Sequence, residues 1–169
     1  KKRGIYDPEK IVVSGVQVPA EPKKSTLPST AEIMKLKGNA EKGKGRIMSC
    51  VMCHSINGIG ANYGPQLKGW GSTQSREAII KSILKPSADI AHGFKGQEII
   101  LKDGTVVHGL VIPGDPLIVT STGGLTQMIP ANRVKSRKYM KRSLMMSAQQ
   151  LGLSAQDVAD IATYMQQWK

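Results

Sequence analysis

Apolar residues recur along this chain with two periods, and the change between them divides it. From about Ala31 the spacing is helical, with Thr30 as the expected N-cap and Ile33, Met34 and Leu36 following. A second short helix is expected over residues 39–50, delivering Cys50 at its end. Residues 76–85 place Ala78, Ile79, Ile80, Ile83 and Leu84 three and four apart. Ser75 caps that run and Pro86 stops it. The last helix is the most sharply written. Ser154-Ala155-Gln156-Asp157 has the form of a capping box with Asp in place of Glu, and Val158, Ile161, Ala162, Met165 and Trp168 line one face.

Between these helices the period falls to two. Residues 96–102, 105–112, 117–121 and 125–129 are expected as four short strands. Asp103-Gly104 and Gly123-Gly124 have hairpin-turn chemistry, and Pro113-Gly114-Asp115-Pro116 makes a longer turn. A small antiparallel β unit, about 94–135, is therefore expected inside a helical chain. Residues 1–30 contain Pro8, Pro19, Pro22 and Pro28 and no helical period, so they read as an extended arm or linker. Within that arm Ile11-Val12-Val13, Val16 and Val18 are suited to an edge strand, added to this chain or to another.

Composition narrows the picture. The 169 residues are 40% hydrophobic and 21% charged, the balance of a globular protein, and the length suits one domain of ordinary size or a small domain with an insertion. Only 4% are aromatic, with Phe94 the single Phe, so something other than Phe and Trp is expected to fill the centre. No stretch approaches the ~20 apolar residues of a transmembrane helix. The opening Lys1-Lys2-Arg3, with no Met and no apolar run behind it, does not read as an intact signal peptide. The net charge of +12 is uneven. Residues 1–46 carry 11 basic and 5 acidic side chains, and residues 133–142 carry 6 basic and none acidic. The cluster of Arg133, Lys135, Arg137, Lys138, Lys141 and Arg142 is either a solvated linker or a surface that steers an acidic protein partner. Nucleic acid is disfavoured, because Tyr139 is the one aromatic there for base stacking.

The two cysteines stand in one string, Cys50-Val51-Met52-Cys53-His54. Such a pair is compatible with a disulfide, a thiol redox pair, half a zinc site or covalent attachment of a c-type haem. Zinc needs four ligands in compact spacings, and here only the distant His92 and His108 remain to complete it. A thioredoxin-like pair follows a buried strand, whereas residues 43–49 form none. A plain disulfide leaves His54 without a purpose. Haem attachment uses every member of the string, because two thiols add across two vinyl groups and the adjacent imidazole ligates iron. A haem would also fill a core poor in aromatics, and Gly58, Gly60, Gly64, Gly69 and Gly71 would let backbone approach it.

With these residues in view the chain resembles the class I cytochromes c. Gly64-Pro65-Gln66-Leu67-Lys68-Gly69 is similar to that family's Gly-Pro-x-Leu-x-Gly loop, and the last helix, with Ile161 and Tyr164, to its C-terminal helix. A closer resemblance, over about 38–169, is to haem-binding domains typical of planctomycetes and verrucomicrobia, in which a β insertion separates the haem motif from an axial Met. Lys85-Pro86-Ser87, Ile90-Ala91-His92-Gly93-Phe94, Asp103-Gly104 and Ser143-Leu144-Met145 carry it. That family's Ser-Leu-Met-Pro is Ser-Leu-Met-Met here.

The resemblance implies a mainly α fold: class I cytochrome c helices around one covalent haem c, over 31–169, interrupted by a small antiparallel β subdomain at 94–135. It implies that the Pro65 carbonyl takes the His54 proton and that Met145 is the distal thioether ligand, with Met146 the alternative. Trp70 either bonds a haem propionate or packs. His92 reads as a haem-edge neighbour, a second axial candidate or an exposed residue, and His108 as surface. Arg76 and Lys81 face propionates or solvent, and Met48 and Met52 are expected in the haem wall. The expected function is one-electron transfer without enzymatic chemistry, between a dehydrogenase or respiratory donor and an acceptor. An acidic partner, no nucleic acid, a periplasmic location and a tether through the arm complete the expectation. Two other classes stay open: a haem enzyme or gas-binding domain with a displaceable sixth ligand, and a docking module built on the β unit.

Overall fold

The computed structural model describes residues 7–168. Its helices are short, and most start where a side chain can satisfy the orphan amides. Helix α1, Thr30–Met34, is capped by Ser29 rather than Thr30. The Ser29 hydroxyl accepts from the Glu32 amide, and the Glu32 carboxylate takes the Ser29 N–H at 2.8 Å. Helix α2, Ala40–Arg46, is capped by Asn39 and runs into a 3-10 segment, Ile47–Met52, that contains Cys50. Helix α3, Leu67–Gly71, is too short for any periodicity to mark it. Helix α4, Arg76–Leu84, starts behind Ser75, and α5, Ala155–Met165, behind the Ser154/Asp157 capping box.

No helix of these lengths is stable alone, so packing must hold them. Helix α2 crosses α5 at Gly43, where an added Cβ would stand 2.1 Å from the Asp160 carbonyl oxygen. Ile33, Ile47, Ile79, Ile80, Val158, Ile161 and Met165 are buried together there. Among the described residues no helix is long and apolar enough to cross a membrane.

Between α4 and α5 lies an antiparallel sheet: β1, Gln97–Leu101; β2, Val106–Ile112; β3, Leu117–Thr120; β4, Thr126–Ile129; and β5, Val134–Tyr139. The order is β4-β3-β2-β1-β5. Ile99, Leu101, Val107, Leu117, Val119 and Ile129 form its own core. The expectation of a mainly α protein is therefore corrected: only 32% of the structure is helical, and a five-stranded antiparallel sheet stands between its helices. The fifth strand falls in the basic stretch whose charge suggests a solvated linker. It is an edge strand, exposed on both faces beyond Val134, so no alternation of apolar residues marks it. It carries the sheet to Tyr139.

The arm does not hang free over its described length. Val16 forms a parallel bridge with Val107, and its carbonyl accepts the His108 amide at 2.7 Å. Gln127 bonds both the Ser14 amide and carbonyl. Arg133 donates to the Ile11 carbonyl, and Arg142 to those of Val18 and Pro19. His108, expected on the surface, is 4% exposed. Its Nδ1 accepts the Val18 N–H at 3.1 Å, and its Nε2 donates to Glu98 at 3.2 Å. Residues 1–6, including the basic start, lie outside the described part.

Candidate functional site

The Cys50–His54 string is a tight turn stapled by the loop that follows it. The Cys53 and His54 amides both bond the Cys50 carbonyl, at 3.1 and 2.8 Å. The chain then doubles back: Tyr63 and Gly64 amides bond the Cys53 carbonyl, and the Leu67 amide bonds the Ser55 carbonyl. This return places the Pro65 carbonyl oxygen 2.7 Å from His54 Nδ1. A carbonyl can only accept, so Nδ1 carries the proton and Nε2 keeps its lone pair. Nε2 has no hydrogen-bond partner among the described residues. Gly64 lies flat against the ring. A Cβ there would sit 2.4 Å from Cε1 and 2.6 Å from Nδ1.

Burial pushes the His54 pKa below the ordinary histidine value, and the Pro65 bond only partly opposes this. The ring is thus held neutral near pH 7, the form that donates a lone pair to a metal. Burial also raises both thiols. Cys50 and Cys53 are free and half-buried. The Gly123 backbone, from the turn between β3 and β4, bonds Cys53 and partly offsets its shift.

An apolar cleft of about 1150 Å³, open mouth included, joins these groups. Cys50, Cys53, His54, Pro65, Trp70 and Met145 all line it, drawn from the 3-10 turn, the return loop, α3 and the segment before α5. Its apolar walls include Ile79 and Ile83 of α4, Leu144, and Ile161 and Met165 of α5. Tyr63 and Phe94 also line it, which sequence reasoning does not reveal; no local signal distinguishes a wall aromatic from a core one. Met165 belongs to the apolar face of α5, and only packing turns that face partly into the cleft.

Other candidates are elsewhere. Met146 packs against the cluster of Val18, Tyr63, Met140 and Leu144 instead of lining the cleft. His92 is exposed and outside it. Arg76 is committed to the carbonyls of Met34 and Leu36, and Lys81 is exposed outside the lining. Met48 and Met52, expected in the wall, are 54% and 60% exposed, because the 3-10 turn that aims Cys50 inward aims them out.

Residues 40–102 match the Cytochrome c family model. The matched span runs from α2 to just past β1, and it contains both thiols, His54, Pro65 and Trp70. No curated protein matches the chain. Over this span, which is under half of the chain, the sequence is similar to cytochrome c, a family that binds haem c and transfers electrons. Met145 and the strands from β2 onward lie outside the match.

The residues fit such a group on their own chemistry. Two thiols three positions apart line an apolar cleft, a neutral imidazole offers one lone pair, and Gly64 leaves no side chain to crowd that ring. Zinc is not supported: no cluster of three or more His, Cys, Asp or Glu exists among the described residues.

Proposed function

We propose that this chain is a monohaem c-type cytochrome acting as a one-electron carrier, in which Cys50 and Cys53 would hold the haem through thioether bonds and His54 and Met145 would ligate its iron. The observation that carries the reading is the 2.7 Å contact between His54 Nδ1 and the Pro65 carbonyl, within a cleft lined by both thiols. Bound haem supplies an iron that alternates between ferric and ferrous states. The protein's residues do the rest. Pro65 holds the tautomer and the ring direction, raising the basicity of Nε2. Ile79, Ile83, Leu144 and Phe94 would cover the bound group with apolar side chains, so that the site would reorganise little as its charge changes by one. Met145 brings a thioether, which favours the reduced state and raises the potential. With both His54 and Met145 on the iron, no position would remain for a substrate, which suits electron transfer without bond chemistry.

The donor on this reading is a dehydrogenase or respiratory complex, and the location is the periplasm, where covalent haem attachment is completed. The test is a pyridine haemochrome spectrum together with intact mass after denaturation. One haem mass that survives denaturation, and is lost in the Cys50→Ser, Cys53→Ser double variant, is expected. A chain of unmodified mass from cells that mature c-type cytochromes would overturn the proposal.

A further inference from the structure

The edge strand β5 is strongly basic, and among the described residues no strand pairs with its outer side. It holds Lys135, Arg137 and Lys138, all exposed, and Lys141 follows within two residues of its end. Of these only Lys138 is neutralised, at 2.9 Å from Glu98. Lys135, Arg137 and Lys141 have no carboxylate partner among the described residues. Lys95 adds a fourth free cation, 5.3 Å above the ring of Tyr139, which is itself 62% exposed.

The backbone register decides which peptide groups are free. The Met140 N–H bonds the Gly96 carbonyl at 2.9 Å, and Lys138 stands opposite Glu98. In an antiparallel ladder bonded and non-bonded positions alternate, so 140, 138 and 136 turn toward β1 while Arg137 and Tyr139 turn their N–H and C=O outward. Lys135 is the extra residue where the register shifts, opposite the step from Ile100 to Leu101. The result is an open edge about 20 Å long, with two outward donor–acceptor pairs and a row of cations beside them.

We propose that this edge is a docking site for an extended, acidic segment of a partner protein, which adds to the sheet as a sixth strand beside β5. Main-chain bonds at Arg137 and Tyr139 would set its register, and its carboxylates would meet Lys135, Arg137 and Lys141. A second copy of this chain is disfavoured, because the same pairing would set cations against cations. A lipid surface or a nucleic acid would meet the charge and leave the outward peptide groups unused. The contact is small, so the encounter is weak and salt-dependent. It involves none of the residues of the cofactor cleft, so its success or failure is independent of the haem assignment.

The test uses the full chain as purified and a fluorescent ten-residue peptide of alternating Glu and Val. Binding is read by anisotropy at low and high salt, and amide hydrogen exchange locates it. We expect binding at low salt, with slowed exchange at Arg137 and Tyr139. The exposed triple reversal Lys135→Glu, Arg137→Glu, Lys141→Glu should weaken it about tenfold or more, and the matched triple reversal of the exposed Lys35, Lys42 and Lys44 should not. The same peptide methylated at alternate backbone nitrogens keeps its charge and loses strand pairing, so it should bind poorly. Equal binding of the methylated peptide, protection away from β5, indifference to the triple reversal or a dimer that the reversal dissolves would each overturn the proposal.

Discussion

Replacing Gly64 with alanine isolates the contact on which the site is built. Gly64 has an ordinary φ, so alanine brings no backbone strain and its effect is steric. The new Cβ would stand 2.4 Å from His54 Cε1, where ordinary contact begins at 3.4 Å, so the ring or the return loop must move by about 1 Å. The ring is tied on its Nδ1 edge to the Pro65 carbonyl, one residue from the intruding methyl. Overpacking of a fixed group costs about 1–3 kcal/mol, and a strained or lost hydrogen bond about 1 kcal/mol more. The expected loss is about 2–4 kcal/mol, read by urea denaturation followed by circular dichroism. The fraction of chains carrying a haem mass should fall in parallel, because the imidazole is displaced from its direction. Gly45→Ala is the control: nothing lies within 4 Å of its Cβ, and α2 should gain about 0.5–1 kcal/mol from the better helix former. A Gly64→Ala protein within about 0.5 kcal/mol of the parent, with an unchanged His54 Nδ1–H signal by nitrogen NMR, would refute the reasoning.

Gly43→Ala should cost about 3 kcal/mol in the same denaturation experiment, because its Cβ would meet backbone of Asp160 at 2.1 Å and force α2 away from α5. In the haem-loaded protein Met145→Leu should remove the sulfur-to-iron charge-transfer band of the ferric form and lower the midpoint potential, whereas Met146→Leu should leave both in place. Asp157 gives a pH signature. Burial alone would raise its pKa, but the bonds from Ser154 and the Arg46 guanidinium at 2.7 Å more than reverse this, leaving it below the usual aspartate value. Its unfolded form therefore binds protons first on acidification, so its contribution is whole above the ordinary aspartate pKa and disappears as pH falls through the lower folded value. Asp157→Asn should cost about 1 kcal/mol at pH 7, and the difference from the parent should close in denaturation series taken toward about pH 2.

Local rules made several parts of this protein legible from residues alone. Ser75 and Ser154 cap the helices expected of them, because a cap needs only a hydroxyl and an amide a few positions on. The strands β1 to β4 follow from alternation, since each has one face on the sheet's own core. The Cys50–His54 string can be read as a haem-attachment motif because all its parts lie within five positions.

What tertiary structure decided has partners far along the chain. Strand β5 exists because β1 pairs with it, and its exposed residues carry no apolar period of their own. His108 is buried by an arm 90 residues away, where the Val18 amide needs an acceptor, so its place on a strand foretold nothing about its exposure. Met48 and Met52 face solvent because a 3-10 turn, in place of a longer α-helix, sets the direction of Cys50. Periodicity and capping report interactions over one or two turns of chain; burial is the sum of contacts from everywhere else, and a single sequence holds no local mark of it.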